Sequence, residues 1–441
     1  MLRWQMGVVL LTVIIIVGTI MGIMLRYMDW MQTLLILFTL YLLILLGAAI
    51  FNREPKNAAD SNIFYRPFVS ILIPARNEEF VIADTVESMM SLRYHKKGGP
   101  NFEVIVIDDA STDNTYNVLA ELMTKYSNLK VLRRNGERAG TGKAAALNDA
   151  LKLCNGEAIA VFDADTQVSP NFLEKSVPYL YPKTSGGVQG RVRIYNSKKN
   201  ILTEFQNDEF SVICHLMQKG RQLVKGMIHL SGNGQVTKRE ALEEVGLWNE
   251  NSTTEDTDLT IRLMLKGYYV RYCSESVLWQ EGVDNFGAFL RQRIRWVDGY
   301  FKCAFDYLIP LFFKNNVTFS QKLDSILGLL RTTIPLWLIM GNFLVLCAIF
   351  SGFRLYSLYP SIVYKTTTVV SFLILILAFM VEDKENIFDS LKRVMRYWLC
   401  CCIWIIAAPI AFFKIAFCKN NKQWDKTYHK GDVEVKMSKI A

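Results

Sequence analysis

The sequence predicts an α/β domain set between two groups of membrane-spanning segments, and three observations support this. From Phe68 to about Gly282, short apolar runs alternate with helical segments, as is typical of a mostly parallel sheet covered on both faces. Apolar runs of about the length needed to cross a bilayer lie before and after this stretch. The composition agrees, since 51% hydrophobic residues is high for a soluble protein and 21% charged residues is too many for a wholly membrane-embedded chain.

Two apolar runs near the start of the chain, Met6–Leu25 and Met31–Phe51, predict a transmembrane hairpin with both flanks on one side of the membrane. Arg53 and Lys56 follow the second run, and basic residues favour the cytosolic side. We therefore expect a multi-pass protein of the plasma (inner) membrane with its α/β domain in the cytosol. A cleaved signal peptide would have a shorter apolar core and no second run directly after it.

The α/β stretch contains predicted strands whose carboxyl ends carry polar residues. The strands are expected at Phe68–Pro74, Phe102–Asp108, Lys130–Leu132 and Ala158–Phe162, and the helices at Glu79–Leu92, Thr115–Lys125 and Lys143–Leu153. Ligands of such sheets bind beyond the carboxyl ends of the strands. Three of these strand ends are therefore expected to converge on one site.

Three further apolar runs predict membrane spans after the α/β domain, at Ile334–Phe350, Thr366–Val381 and Tyr397–Cys418. Three crossings from a cytosolic start would place the tail outside, whereas its lysines favour the cytosol. The number of crossings stays open, and a cytosolic tail is favoured. The expected division is 1–55 for the hairpin, 66–283 for the α/β domain, 284–320 for interface helices, 321–418 for the second membrane region and 419–441 for the tail.

Net charge and cysteine usage restrict the environment more than the function. A formal charge of +9 suits an anionic substrate or anionic lipid headgroups, and does not separate them. Nine cysteines without paired spacing fit a reducing cytosol better than a disulfide framework. We expect a lipid bilayer and no nucleic acid among the partners.

Two carboxylate motifs are candidates for chemistry. Asp163 and Asp165 directly follow a predicted strand and could hold a divalent cation that neutralises a diphosphate, although such a motif is often a solvated turn. Glu255 and Asp256 open an amphipathic helix at Asp258–Leu265, where acids also favour the helix dipole. An aspartate at this position could act as a general base towards an acceptor hydroxyl.

Other polar residues at the predicted strand ends and helix starts suit a nucleotide. The acids after the second strand could accept bonds from a base or ribose, or could simply cap the next helix. Lys143 follows a glycine-rich segment without the full Walker spacing, which argues against a kinase or ATPase but suits a pyrophosphate. The candidate residues for binding a nucleotide donor, that is, a nucleotide whose attached group is transferred, are Pro74, Ala75, Glu78, Asp108, Asp109, Lys143 and Asp163.

Gln292, Arg295 and Trp296 lie within about one helical turn, just before the second membrane region. The arginine could meet a leaving diphosphate and the indole could stack on a sugar ring. Taken alone, the segment could equally be an interface helix with ordinary Arg and Trp anchors.

In this order, the motifs resemble those of processive family-2 glycosyltransferases of GT-A fold, the superfamily of cellulose and other β-glucan, poly-N-acetylglucosamine, chitin and hyaluronan synthases. The resemblance runs from about Phe68 to Gly299. It implies a nucleotide-diphospho-sugar transferase fold, Asp256 as the base, and Mg²⁺ or Mn²⁺ held by Asp165 with Asp163. It also implies that Gln292, Arg295 and Trp296 hold the diphosphate and the acceptor end.

The same resemblance implies an acceptor loop and a tail motif. The acceptor loop would contain Gly232, Asn233, Gly234 and Gln235, together with Trp296. Trp424, Lys426 and Thr427 resemble a tail motif of the poly-N-acetylglucosamine branch. The chain lacks a clear Phe-x-Val-Thr-x-Lys gate of the bacterial cellulose type and a histidine after Asp165.

The resemblance implies an inverting enzyme that polymerises a β-linked polysaccharide from a UDP-sugar and extrudes it through its own membrane channel, with the growing chain as acceptor. UDP-glucose and a β-glucan product are favoured, and a synthase that uses UDP-N-acetylglucosamine is the alternative. A second alternative adds a single sugar to a polyprenyl phosphate. A nucleotide-binding transporter is disfavoured because the carboxylates converge on strand ends rather than inside spans. The chain leaves room for a homo-oligomer or an accessory subunit.

Overall fold

The computed structural model of the chain describes residues 2–24, 27–51, 64–96, 98–351, 361–418 and 431. Its strands are β1 (Val69–Ala75), β2 (His95–Lys96), β3 (Gly99–Pro100), β4 (Phe102–Asp109), β5 (Leu129–Arg134), β6 (Ala158–Val161), β7 (Gln167–Val168), β8 (Ser185–Ile194), β9 (Gln235–Lys238) and β10 (Tyr269–Gln280). Its helices before the second membrane region are α1 (Leu2–Met24), α2 (Tyr27–Phe51), α3 (Ile82–Met90), α4 (Thr115–Lys125), α5 (Lys143–Leu151), α6 (Phe172–Ser176), α7 (Ile201–Ser211), α8 (Met217–Leu223), α9 (Arg239–Glu244) and α10 (Glu255–Lys266).

The helices that follow are α11 (Phe286–Phe313), α12 (Phe319–Leu330), α13 (Ile334–Ser351), α14 (Ser361–Glu382), α15 (Ile387–Cys401) and α16 (Ile403–Phe417). A π-helical turn, Val212–Leu216, separates α7 from α8. A 3₁₀ turn, Arg331–Thr333, separates α12 from α13.

Eight strands form one sheet in the order β5-β4-β1-β6-β9-β8-β10-β7. The strands β5, β4, β1 and β6 run parallel, and the register places Ala75 of β1 opposite Asp108 of β4. Fully buried apolar side chains such as Ile71 and Leu72 point alternately to the two faces, where two separate apolar clusters form. The predicted α/β fold is confirmed, and the ends of β1, β4 and β6 lie at the same edge of the sheet, although Asp108 at the end of β4 does not line the cavity described below.

The second half of the sheet departs from the simple parallel pattern. The strand β9 is antiparallel to both β6 and β8, and β10 then pairs in parallel with β8. The long strand β8 contains Gly186, Gly187 and Gly190, so it has no continuous apolar run that would reveal a buried strand. Phe172 packs where a side chain on Gly190 would lie, 2.6 Å from an added Cβ, which explains the glycine there.

Within the described residues, three helical stretches are long and apolar enough to cross a membrane, Phe319–Phe343, Lys365–Glu382 and Ile387–Phe417. They overlap the three predicted runs, but the first begins earlier because α12 continues into α13. The N-terminal hairpin is less clear: both helices form, and their described apolar parts are Trp4–Ile16 and Ile36–Phe51. Arg53, Lys56 and the tail motif at Trp424, Lys426 and Thr427 lie outside the described residues.

Buried ion pairs join the membrane helices to the α/β domain. Arg393 of α15 binds Asp208 of α7 at 2.5 Å, and both side chains are almost fully buried. Arg221 of α8 binds Asp324 of α12 at 3.1 Å. Breaking one partner of such a pair leaves an uncompensated buried charge, so these contacts set the position of the helices relative to the sheet.

Candidate active site

A cavity of about 1130 Å³ lies at the carboxyl ends of the parallel strands. It extends from those ends, past the start of α10 and the side of α11, to α1 and α16. The predicted site residues that line it are Pro74, Glu78, Lys143, Asp163, Asp165, Gly232, Glu255, Asp256, Gln292, Arg295 and Trp296. We call its strand side (Lys143, Asp163, Asp165) the donor end and its helix side (Trp296, Tyr300, Trp404) the acceptor end.

Lys143 is the first residue of α5. Its side chain contacts Asp163, which follows β6, and Gly232, which precedes β9. Its Nζ donates to Asp163 Oδ1 at 2.6 Å and to the Gly232 carbonyl at 2.9 Å, and lies 3.7 Å from Glu255. Burial acts to lower the pKa of the ammonium, but the carboxylates of Asp163 and Glu255 outweigh it and raise the pKa above its usual value. Lys143 is therefore a permanent cation within the cavity.

Asp256 lies in the first turn of α10, next to Glu255. Its Oδ1 accepts from the Thr257 backbone N–H at 2.7 Å. Burial, and next the negative charge of Glu255, raise the pKa of Asp256 to about 7. A carboxylate with a pKa near neutrality and a wall position in the cavity has the properties of a general base.

The acceptor loop approaches Asp256 so closely that it requires glycine. Gly232 has a φ of +71°, and a Cβ there would lie 3.0 Å from Asp256 Oδ2 and 3.4 Å from Lys143 Nζ. Asn233, Gly234 and Gln235 turn away from the cavity into the sheet. Asn233 Oδ1 accepts from Asp163 N and Thr166 Oγ1, while its amide donates to Gln280. Asn233 therefore holds the turn that contains Asp163 and Thr166.

Asp163 and Asp165 provide the candidate metal ligands. Asp165 is buried and its Oδ2 accepts from the Glu281 backbone N–H at 2.8 Å. Among the described residues, no group of three His, Cys, Asp or Glu side chains could hold a metal by itself. Magnesium and manganese prefer oxygen ligands, and magnesium is often held by one or two carboxylates together with substrate phosphates. The pair therefore fits a cation that binds together with a diphosphate, and Mg²⁺ or Mn²⁺ remains a prediction.

Gln292, Arg295 and Trp296 all lie on α11, and this helix passes close to the start of α10. A Cβ on Gly299 would lie 2.3 Å from Thr254, the residue that precedes the acidic pair. The positive charge of Arg295 acts on Asp256 and stabilises its ionised form. These three side chains therefore line the same cavity as Glu255 and Asp256, as predicted. The roles of the individual residues stay predictions.

Arg293 holds this helix face in place, and the sequence analysis missed it. Its guanidinium is fully buried, forms an ion pair with Glu209 of α7 and lies over the Trp296 ring at 4.1 Å. It also lies over Phe289 at 4.3 Å. A charged residue inside an otherwise aromatic helix face was the available signal, but its partner is 84 positions away in the sequence.

Ala75, Asp108 and Asp109 do not line the cavity. Asp109 Oδ1 binds Arg134 Nη1 at 2.5 Å and the Gly140 N–H at 3.0 Å, and Asp108 Oδ1 accepts from Ser111 N. Both aspartates are fully buried; among the described residues Asp109 Oδ2 has no hydrogen bond, and Asp108 Oδ2 has only an ion pair with Arg133 at 3.5 Å. Their predicted role in donor binding therefore remains a prediction; in this structure Asp109 holds the loop that leads to Lys143, and Asp108 holds the turn after β4.

Comparison with known proteins places these features in a family. The model of the glycosyltransferase like family 2 matches residues 66–299. A β-monoglucosyldiacylglycerol synthase of Nostoc sp. is 36% identical over 374 residues, which cover 83% of this chain and 78% of that protein. A poly-β-1,6-N-acetyl-D-glucosamine synthase of Staphylococcus aureus is 29% identical over 251 residues, covering 56% of this chain and 57% of that protein.

Among solved structures, a mannosyltransferase of Pyrobaculum calidifontis in complex with GDP-Man and Mn²⁺ has a TM-score of 0.56 at 19% identity, covering 88% of this chain and 100% of that one. This likeness shows the fold. The family match spans more than half of the chain and contains the acidic pair, Lys143 and the α11 motif. The protein therefore belongs to the glycosyltransferase like family 2 and is a nucleotide-sugar-dependent glycosyltransferase.

Proposed function

We propose that the protein transfers one glucosyl residue from UDP-glucose to the hydroxyl group of diacylglycerol, forming a β-linked glycolipid. The observation that carries this is the 374-residue similarity to a β-monoglucosyldiacylglycerol synthase. It is much longer than the matched segment 66–299 and therefore includes membrane helices as well as the catalytic domain. The similarity to the poly-N-acetylglucosamine synthase, over 251 residues, is about as long as the catalytic domain alone.

The shape of the cavity supports a lipid acceptor. Its acceptor end is lined by Trp4 of α1 and by Trp404 and Ile410 of α16, which come from the membrane regions. A diacylglycerol could keep its acyl chains in the bilayer while its single hydroxyl reaches the acidic pair. Aromatic side chains suit this boundary, because each combines a large apolar surface with a polar edge.

The reaction that follows is a single displacement. Asp256 accepts the proton of the acceptor hydroxyl as the oxygen attacks C1 of the sugar, and the bond from C1 to the UDP oxygen breaks. Attack from the face opposite to UDP turns the α-linked donor into a β-linked product. Lys143 and Arg295 stabilise the charge of the leaving diphosphate. A Mg²⁺ or Mn²⁺ ion held by Asp163 and Asp165 would neutralise part of the same charge.

We further infer that the catalytic domain and the tail lie on the same side of the membrane, which the basic residues assign to the cytosol. The Gly431 N–H donates to Glu281 of the catalytic domain at 3.3 Å. At the end of α14, Glu382 binds His215 at 3.1 Å. An even number of crossings is then required. Because α12 and the end of α14 both contact the catalytic domain, α13 and α14 would form one pair of crossings, and the stretch Ile387–Phe417 would begin and end on the catalytic side.

A processive polysaccharide synthase is the second candidate, because Gln292, Arg295 and Trp296 line the same cavity as the base. In that case the acceptor end would hold the growing β-glucan, or a polymer made from UDP-N-acetylglucosamine. A polyprenyl phosphate acceptor is the third outcome to be tested.

The products distinguish these functions. Purified full-length protein in vesicles with Mg²⁺ or Mn²⁺ is given radiolabelled UDP-glucose or UDP-N-acetylglucosamine, with diacylglycerol or a polyprenyl phosphate. We expect a chloroform-soluble, alkali-labile glucolipid that is sensitive to β-glucosidase and depends on added diacylglycerol. A β-glucanase-sensitive precipitate formed without diacylglycerol would overturn the proposal in favour of a polymerase. Label on the polyprenyl phosphate would overturn it in favour of the third outcome.

A further inference from the structure

A second positively charged region lies in the cavity, away from the donor end. It is lined by Arg221 and Gln218 of α8, His229, and Leu329 and Arg331 at the junction of α12 and α13. We call it the arginine recess. The residues from His229 to Gly232 connect it to the catalytic centre, so the two positions are at most roughly 11 Å apart along this segment.

The carboxylates near the arginine recess are already paired with other groups. Asp324 binds Arg221 at 3.1 Å and accepts from the Met227 N–H at 2.7 Å. Glu209, which also lines the cavity, forms the ion pair with Arg293. Among the described residues, no carboxylate lies within ion-pair distance of Arg331, and its guanidinium makes no hydrogen bond to them. Asp324 attracts Arg331 only beyond ion-pair distance, so in the described part of the chain this half-buried cation has no ion-pair partner of its own.

The other groups in the recess add to this positive potential or leave it unchanged. Burial, and next the charge of Arg331, lower the pKa of Arg221 to about 9. Burial and both guanidinium groups lower the pKa of His229 well below its usual value, so the imidazole is neutral at pH 7 and cannot compensate either charge. A cation that is partly removed from water and has no ion-pair partner is destabilising, and an anion that enters the recess would relieve this.

The position of Arg331 indicates where such an anion comes from. Arg331 begins the 3₁₀ turn between α12, which binds the catalytic domain through Asp324, and α13, which is strongly apolar and has no charged residue. A residue at such a junction lies at the level of lipid headgroups. Guanidinium groups favour phosphate because two parallel N–H donors match two phosphate oxygens.

We propose that Arg331, with Arg221 and His229, forms a subsite for the phosphate group of an anionic membrane phospholipid, which binds beside the acceptor lipid. This goes beyond the proposed function, since a diacylglycerol acceptor carries no phosphate. The bound phospholipid fills the recess next to the acceptor and neutralises Arg331. Transfer is then faster in anionic than in neutral membranes.

Native mass spectrometry of the detergent-purified full chain tests binding without any turnover. The probes are dioctanoyl phosphatidylglycerol and dioctanoylglycerol, which has the same chains and no phosphate. We expect one phosphatidylglycerol to bind the wild type, with affinity at least tenfold weaker in Arg331→Gln and a few-fold weaker in Arg331→Lys. Dioctanoylglycerol should bind these variants and the wild type equally.

The matched control is Lys322→Gln, which removes one half-buried positive charge from α12 outside the cavity, where Lys322 Nζ bonds the Phe312 carbonyl at 3.1 Å. Equal phosphatidylglycerol binding by wild type and Arg331→Gln, or an equal loss in Lys322→Gln, would overturn the subsite. Inorganic phosphate that displaces the lipid at equal concentration would assign the recess to a free anion and overturn the lipid source. If Arg331→Gln unfolds, Arg331→Lys decides by the same measurement.

Activity in vesicles separates this inference from the proposed function. Glucolipid formation by the wild type is expected to rise several-fold when phosphatidylglycerol replaces part of the phosphatidylcholine, and Arg331→Gln should lose this rise. If diacylglycerol is not the acceptor, the binding experiment still decides the subsite. A labelled product that carries phosphate would make the phosphate part of the acceptor, and would overturn both the diacylglycerol acceptor and a phospholipid bound beside it.

Discussion

The donor end and the acceptor end of the cavity are built in different ways. The donor end consists of charged side chains at a strand end and a helix start, such as Asp163 and Lys143, which bond each other and the loop before β9. The acceptor end consists of aromatic side chains on α11 and α16, held in place by the distant Arg293–Glu209 pair. We therefore expect the donor end to depend mainly on the sheet, and the acceptor end to depend on the packing of α11 and α16.

Asp256, the candidate base, lies between the two ends, and its substitution should have the largest effect. Asp256→Asn keeps the shape of the side chain but cannot accept a proton, so we expect kcat to fall by about 10³-fold. UDP release in the presence of acceptor measures this, and calorimetry should show UDP binding within a few-fold of the wild type. Turnover above a tenth of the wild-type rate would exclude Asp256 as the base.

Removal of the donor-end cation should affect one substrate only. Lys143→Ala removes a charged hydrogen-bond donor, and we expect the KM for UDP-glucose to rise by about 10- to 100-fold with little change in the KM for the acceptor. The control is Lys152→Ala, just beyond the same helix, because Lys152 is exposed and pairs with Asp149 at 3.4 Å. An equal rise of both KM values would argue against a separate donor end.

The opposite selectivity is expected at the acceptor end. Trp296→Ala should raise the KM for the acceptor by up to about tenfold, because aromatic stacking and burial are lost, while UDP binding stays unchanged. Trp296→Phe should recover most of this loss. Trp398→Ala is a matched control, since Trp398 stacks on Phe372 and does not line the cavity. A defect in UDP binding would show that Trp296 belongs to the donor end.

The same difference explains what the sequence could predict. The strand ends at Asp163 and the start of α10 at Glu255 follow from local patterns, and the structure brings them together as expected. The ion pair between Asp109 and Arg134 could be predicted only from the strand register, which places these two residues opposite each other. The arginine recess was not predicted at all, because Arg221 and Arg331 come from different domains and no local pattern shows that either one lines a cavity.

The smallest expected effect is a shift of the pH profile, and it tests how Glu255 controls the pKa of Asp256. The pKa of Asp256 is raised to about 7 by burial and by Glu255. Below this pH the carboxyl group is protonated and cannot accept a proton. The kcat/KM value should therefore rise about tenfold per pH unit up to pH 7 and level off above it.

Glu255→Gln removes the negative charge beside Asp256 and keeps its burial. The rise should therefore move to lower pH, but not as far as the usual pKa of an aspartate. The pH profiles of wild type and variant, measured as UDP release with saturating donor, decide this. An unchanged profile would mean that burial alone sets the pKa, or that the rise belongs to another group, and the acidic pair would then be no more than two neighbours on a helix.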